Sequence, residues 1–182
     1  MVTNNDMNNL KEKLKILQKQ KDVSSADIHL VSVCLGSHDL IIKTTAARIV
    51  AVFKIKQLLP LLIDEMAHSG EKMSFPDSVA SFGCIVIPIL ESKLKVIKNI
   101  TFRKNVAFVL GRLETEESIK ILKILARDKS PKVRRIAVVE LGYVAGDKAE
   151  KILNELLEKE KNKNVKFFID RSIKSVQDRI KK

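Results

Sequence analysis

The ionisable side chains of this chain are mostly cations, so the chemistry its residue types serve best is the binding of anions. Lys and Arg number 34 against 22 Asp and Glu, a formal net charge of +12. The excess is uneven: residues 1–72 hold 10 basic and 8 acidic residues, whereas 92–135 alone hold 13 and 4. Clustered positive charge raises the local concentration of acidic ligands and speeds their arrival. A lysine-rich solvated helix face, common in soluble proteins, would give the same count.

Other chemistries lack their residues. His29, His38 and His68 are scattered, with no Cys or second His at metal-ligand spacing, so no zinc site is expected. There is no glycine-rich phosphate loop and no G-x-S-x-G elbow. The paired carboxylates Asp64–Glu65 and Glu116–Glu117 fall near helix ends, where they are expected to cap, pair with lysines or favour the helix dipole. We therefore expect no catalytic constellation and no cofactor; the protein reads as a non-enzyme. Cys34 and Cys84 lie in apolar stretches ("LVSVCLG", "FGCIVIP") and read as reduced core thiols. No apolar run approaches the roughly 18 to 20 residues that cross a bilayer, and "MVTNNDMNNLKEK" lacks the apolar core of a secretory signal. The expected setting is the cytoplasm, with no membrane partner.

The elements that must position the cations repeat. In "SPKVRRIAVVELGYVAGD" (130–147), Ser130 is a good N-cap and Pro131 suits the first helical position. Val133, Ile136, Ala137 and Leu141 then form an apolar stripe at helical spacing, with Gly142 near the end. A second helix follows in "DKAEKILNELLEKEK", with Asp147 as its cap and Ile152, Leu153, Leu156 and Leu157 as its buried stripe. The unit is a helical hairpin. Upstream, Phe102, Arg103, Leu110, Gly111 and Leu122 stand 31 residues before Val133, Arg134, Leu141, Gly142 and Leu153. "SVASFGCIVIPILESKL" sets Phe82–Gly83 28 residues before Leu110–Gly111, and Leu59–Pro60–Leu61–Leu62 matches Ile87–Pro88–Ile89–Leu90. Val165 and Lys166 restart the pattern for one closing helix. Residues 1–38 read as an atypical capping pair, with Leu10, Leu14 and Leu17 on one side of the first helix and a second helix from Ser24 or Ser25 to Gly36.

This arrangement resembles HEAT repeats, particularly the short HEAT-like repeats also found in phycobilisome lyases. Their units read Asp, a short turn, Val-Arg, a spaced Ala and Leu-Gly, then an apolar second helix, as in "DKSPKVRRIAVVELGYVAGDKAEKIL". The likeness covers about residues 39–182. It implies an all-α, right-handed α-solenoid of about five antiparallel helix pairs, the repeats at 39–182 forming one continuous domain behind the 1–38 cap. It also implies that Arg134 and its equivalents Lys43, Arg103 and Lys166 join a charge ladder, with Asp128, Asp147 and Asp170 available as acceptors.

By the same resemblance, the second helices of the pairs line a concave face where partners bind. Lys93, Lys120, Lys123, Arg127 and Lys151 lie there off the apolar stripes and would form a basic strip. Lys104 and Arg135, which the ladder leaves over, are expected to face solvent. The resulting expectation is a scaffold that binds an acidic protein or peptide and does no chemistry. The alternative is binding of a nucleic-acid backbone. Kinship to HEAT-like alkylation-repair DNA glycosylases is weaker, because those enzymes use tryptophan beside a catalytic Asp, and this chain has no Trp and one Tyr, Tyr143. Most of its seven Phe residues sit at core-like positions, leaving few platforms on which bases stack. Bilin attachment, a third possibility, rests on fold likeness alone.

Overall fold

The computed structural model describes residues 4–68, 74–144 and 146–180, without the side chains of residues 4, 5, 74 and 147. These residues form eleven α-helices and no strand: α1 (Asn4–Leu17), α2 (Ser25–Leu35), α3 (Leu40–Val52), α4 (Leu59–Glu65), α5 (Ser74–Ala80), α6 (Val86–Val96), α7 (Ile100–Leu110), α8 (Glu116–Leu125), α9 (Pro131–Val144), α10 (Ala149–Lys159) and α11 (Lys163–Ile180). In number and order they are five helix pairs plus a closing helix, the all-α HEAT-like architecture that the repeats imply. The chain divides into two compact units, Met1–Phe82 and Gly83–Lys182.

In the first unit, α3 packs against α1, α2, α4 and α5, and Ile42, Ala46, Ala47, Ile49 and Val50 form its buried side. Leu14 and Leu17 of α1 are buried, and Leu10 is half-buried. Ser24 caps α2 through a capping box in which its hydroxyl accepts from Asp27 N–H and the Asp27 carboxylate accepts from Ser24 N–H, and Gly36 ends the helix. Each bond satisfies a backbone donor that the first helical turn leaves unpaired. Asp39 caps α3 by accepting from the N–H groups of Ile41 and Ile42, and its other carboxylate oxygen lies 2.8 Å from Lys11 Nζ of α1.

In the second unit the first helices of the pairs, α7, α9 and α11, pack side by side, and α8 and α10 pack against that layer. The apolar members of the 31-residue matches (Phe102 and Val133, Leu110 and Leu141, Leu122 and Leu153) are all fully buried. Asn99 caps α7, accepting from Thr101 and Phe102 N–H, and Thr115 caps α8, accepting from Ser118 N–H. Ahead of α10 comes a 3-10 turn, Gly146–Lys148, so the N-cap position falls on Lys148, without a side-chain cap bond, and not on the expected Asp147, whose side chain lies outside the described residues. Gly142 sits inside α9, which continues to Val144.

The turns between first and second helices share one backbone device. Lys54 (φ 51°), Gly83 (φ 72°), Glu114 (φ 49°) and Gly146 (φ 51°) all take the left-handed conformation, at spacings of 29, 31 and 32 residues. Gly83 is therefore the turn residue of its repeat, and the helix-end position of Gly111 is filled there by Ala80. The 28-residue match of Gly83 to Gly111 is three residues out of phase, because a large apolar residue precedes glycine at both positions, Phe82–Gly83 and Leu110–Gly111. Cys84, read as a core thiol, is exposed in the 3-10 turn Gly83–Ile85. Cys34 is buried, and burial pushes its thiol pKa up.

Candidate interaction surface

The basic residues fall into two sets, one consumed by the fold and one left over. The consumed set begins with the residue after the buried apolar position that opens each repeat, Ile42, Phe102 or Val133. Arg103 makes a two-pronged bond to Asp128, Nε to Oδ2 at 2.6 Å and Nη2 to Oδ1 at 3.0 Å, and its Nη1 donates back to the Lys98 carbonyl. Arg134 repeats the pattern, Nε to Glu160 Oε2 at 2.7 Å and Nη2 to Oε1 at 2.8 Å, with Nη1 donating to the Asp128 carbonyl at 2.8 Å. Asp128 thus takes Arg103 on its side chain and Arg134 on its backbone, and the rungs join into one chain.

In the first unit Lys43 Nζ meets Glu65 Oε2 at 2.6 Å. The ladder donors at 43, 103 and 134 are as the repeat implied, whereas the fourth expected donor, Lys166, is exposed and enters no ion pair among the described residues. Asp128 is one acceptor, and Glu65 and Glu160 are the others, because each cation reaches the far end of its own hairpin; of the other two carboxylates available by sequence, Asp170 takes no ladder cation among the described residues and the Asp147 side chain lies outside them. Arg134 holds the Glu160 carboxyl below its ordinary pKa, helped by the N–H groups of Asn162 and Lys161, while burial opposes the shift. Glu160 in turn raises the Arg134 pKa. Planar guanidinium groups suit such two-pronged pairing, which fixes geometry as well as charge.

Lys104 also belongs to the fold. It is only 6% exposed, contrary to its expected place in solvent, because α7 has α6, α8 and α9 packed around it. On α9 a carboxylate is buried too: Glu140 presses on Gly111, where an added Cβ would come within 1.9 Å of its Oε2, and Arg112 Nη1 stands 3.6 Å from the same oxygen. Arg135, expected in solvent as well, is half-buried with its guanidinium 5.3 Å from the centre of the Phe168 ring. It lies on a first helix and so on the layer away from the second-helix lysines.

The left-over set centres on α8. This helix buries Ser118, Ile119, Ile121, Leu122 and Leu125 and turns Lys120, Ile124 and Arg127 outward, with Lys123 half-buried beside them. Ile124 is 69% exposed. Arg127 Nη1 donates to the Lys123 carbonyl at 2.9 Å, a C-terminal cap that holds its charge against the helix end. Glu116, one of the paired carboxylates, meets Lys148 at 2.7 Å. Lys151 is exposed on α10 and Lys93 half-buried on α6. Lys120, Lys123, Arg127 and Lys151 enter no ion pair among the described residues.

A family model described as HEAT repeats matches residues 87–169, and over this stretch the chain is similar to HEAT repeats. The matched segment runs from α6 into α11 and includes the whole α8 surface. No curated protein and no solved structure matches the chain. No helix of the described residues is long and apolar enough to cross a membrane, and HEAT repeats as a class serve protein interactions.

Proposed function

We propose that this protein is a non-enzymatic HEAT-like scaffold that binds an acidic protein or peptide segment on the outward face of α8, with Lys93 and Lys151 flanking it, in the cytoplasm. The observation that carries the reading is an isoleucine, Ile124, exposed amid Lys120, Lys123 and Arg127, none of which forms a salt bridge among the described residues, although Lys120 lies near enough to Glu116 to help hold its carboxyl ionised. Exposed ion pairs contribute at most about 1 kcal/mol each, whereas covering an isoleucine side chain contributes roughly 1.5–3 kcal/mol. An acidic segment carrying one apolar residue uses both, the apolar contact for hold and the charges for steering and register. The free cysteines support a reducing compartment.

The test is fluorescence anisotropy with a labelled peptide of alternating Glu and Leu turns, a random-sequence duplex DNA and a single-stranded RNA, at about 50 and about 200 mM salt. The peptide is expected to bind, and Lys120→Glu/Lys123→Glu and Ile124→Ser are each expected to abolish that binding without lowering thermal stability. Tight duplex binding that ignores Ile124→Ser would replace this reading with phosphate-backbone binding, since a backbone has no use for the isoleucine. A peptide that binds neither at low salt nor at high would sink it.

A further inference from the structure

A second surface lies on the first-helix layer, between α9 and α11. It is a cleft of about 250 Å³ whose walls include Val139, Tyr143, Phe168, Arg171 and Ser175. Tyr143 is 61% exposed, and Phe167 beside the cleft is 60% exposed. Phe167 stands edge-on to Phe168 at 5.5 Å between ring centres. Guanidinium groups cover or flank these rings: Arg135 lies 5.3 Å from the Phe168 centre and Arg179 5.5 Å from that of Tyr143. Arg179 is also tied to the Gly142 carbonyl.

The spacing explains the groove. Arg135, Val139 and Tyr143 follow at every fourth residue of α9, and Phe168, Arg171 and Ser175 do nearly the same on α11, so each set forms a ridge along its helix. Gly142 lets the ridges approach, since a Cβ there would stand 3.0 Å from Ser172 Cβ. The acidic residues of the two helices do not line the cleft. Glu140 is buried against Gly111; Asp170 falls about 200° round α11 from Phe168, though i+3 from Phe167, and Asp178 stands exposed seven residues after Arg171 on the same side of α11. Arg171 enters no ion pair among the described residues.

The geometry points to a single-stranded nucleic-acid site in this groove, with bases stacked on Tyr143 and Phe167 and a phosphate held by Arg171. Exposed aromatic rings in a positively charged groove are what sequence-tolerant single-strand binding needs, because every base has a flat π-face. Duplex DNA keeps its bases stacked inside and offers the rings nothing. A peptide with acidic side chains alone satisfies Arg171 and leaves both rings in water. This site is separate from the α8 surface and independent of the proposal made for it.

The chain reports on its own site, because Tyr143 is its single tyrosine and it has no tryptophan. The experiment titrates the full chain with a labelled oligouridylate of about 12 nucleotides and with an abasic phosphodiester strand of equal length. It follows anisotropy together with Tyr143 emission corrected for absorption. Expected are binding that weakens between about 50 and about 200 mM salt and quenching of Tyr143 by the oligouridylate alone. Phe167→Ala and Arg171→Gln should each lower affinity about five- to hundredfold, with unchanged melting curves, while Lys120→Glu/Lys123→Glu changes nothing. Absence of binding at low salt, equal affinity for the abasic strand, or indifference to both variants overturns the site. Loss of the acidic peptide's binding in Phe167→Ala also overturns it, in favour of a peptide groove.

Discussion

Arg103, Arg134 and Lys43 show how a strongly basic chain uses part of its charge internally. Glu160 is held ionised in the fold by Arg134 and two backbone N–H groups, so its folded pKa lies below its unfolded one. The stability it contributes is present above the ordinary carboxylate range and is lost as pH falls through the depressed folded value. Glu160→Gln is therefore expected to cost about 1–3 kcal/mol at pH 7 and little in strong acid; urea denaturation at both pH values measures the difference. Leu141, fully buried, should cost roughly 2–5 kcal/mol when cut to alanine, against about 1 kcal/mol or less for Arg135→Glu, which gives up a ring contact. The ladder donors were legible because each follows the buried apolar residue that opens its repeat's stripe: Ile42, Phe102 and Val133. Glu65 and Glu160 were not, since an acceptor at a hairpin's far end keeps no fixed spacing: 22, 25 and 26 residues separate the three pairs. Nor was the burial of Lys104, which occupies the same repeat position as Arg135. The difference arises from what packs around α7 and α9, and no local pattern carries that.

At the scale of elements, the left-handed turn residue is the repeat's most regular backbone feature, yet two of its four positions are not glycine. L-residues with side chains meet a steric penalty there that glycine avoids. Nothing lies within 4 Å of an added Cβ at Gly83 or Gly146, so Gly83→Ala and Gly146→Ala are expected to cost about 1–2 kcal/mol from the backbone alone. Glu114→Gly should be neutral or stabilising, the relieved strain offsetting the added freedom of the unfolded chain. Thermal melts of the three variants decide it; equal losses in all would mean that side-chain contacts, not φ, set these positions. Helix starts were legible where a capping side chain stands before an apolar stripe, as at Ser24. The same reasoning put Gly83 out of phase, because phenylalanine before glycine serves equally as a helix end and as a turn.

For the whole molecule, stability in stacked repeats is a sum of units and their neighbour contacts. α9 packs against α7, α8, α10 and α11, so Leu141→Ala should quicken amide exchange across α7–α11 and leave α1–α3 unchanged; hydrogen exchange with mass spectrometry reads both at once. Architecture was legible from the 31-residue recurrence, since buried positions recur with the helices that bury them. The groove between α9 and α11 was not, because phenylalanines at helical spacing read as core, and only the packing of α11 shows which of Phe167 and Phe168 is left outside. One further consequence follows from Asp128, which accepts Arg103 with its carboxylate and Arg134 with its carbonyl. The stretch 103–133 carries its own donor, its own acceptor and the socket for whatever comes next. A tandem duplication of it would therefore splice in without a mismatched joint, and a gene encoding this chain could acquire a second α8 face, and with it bivalency, in one step.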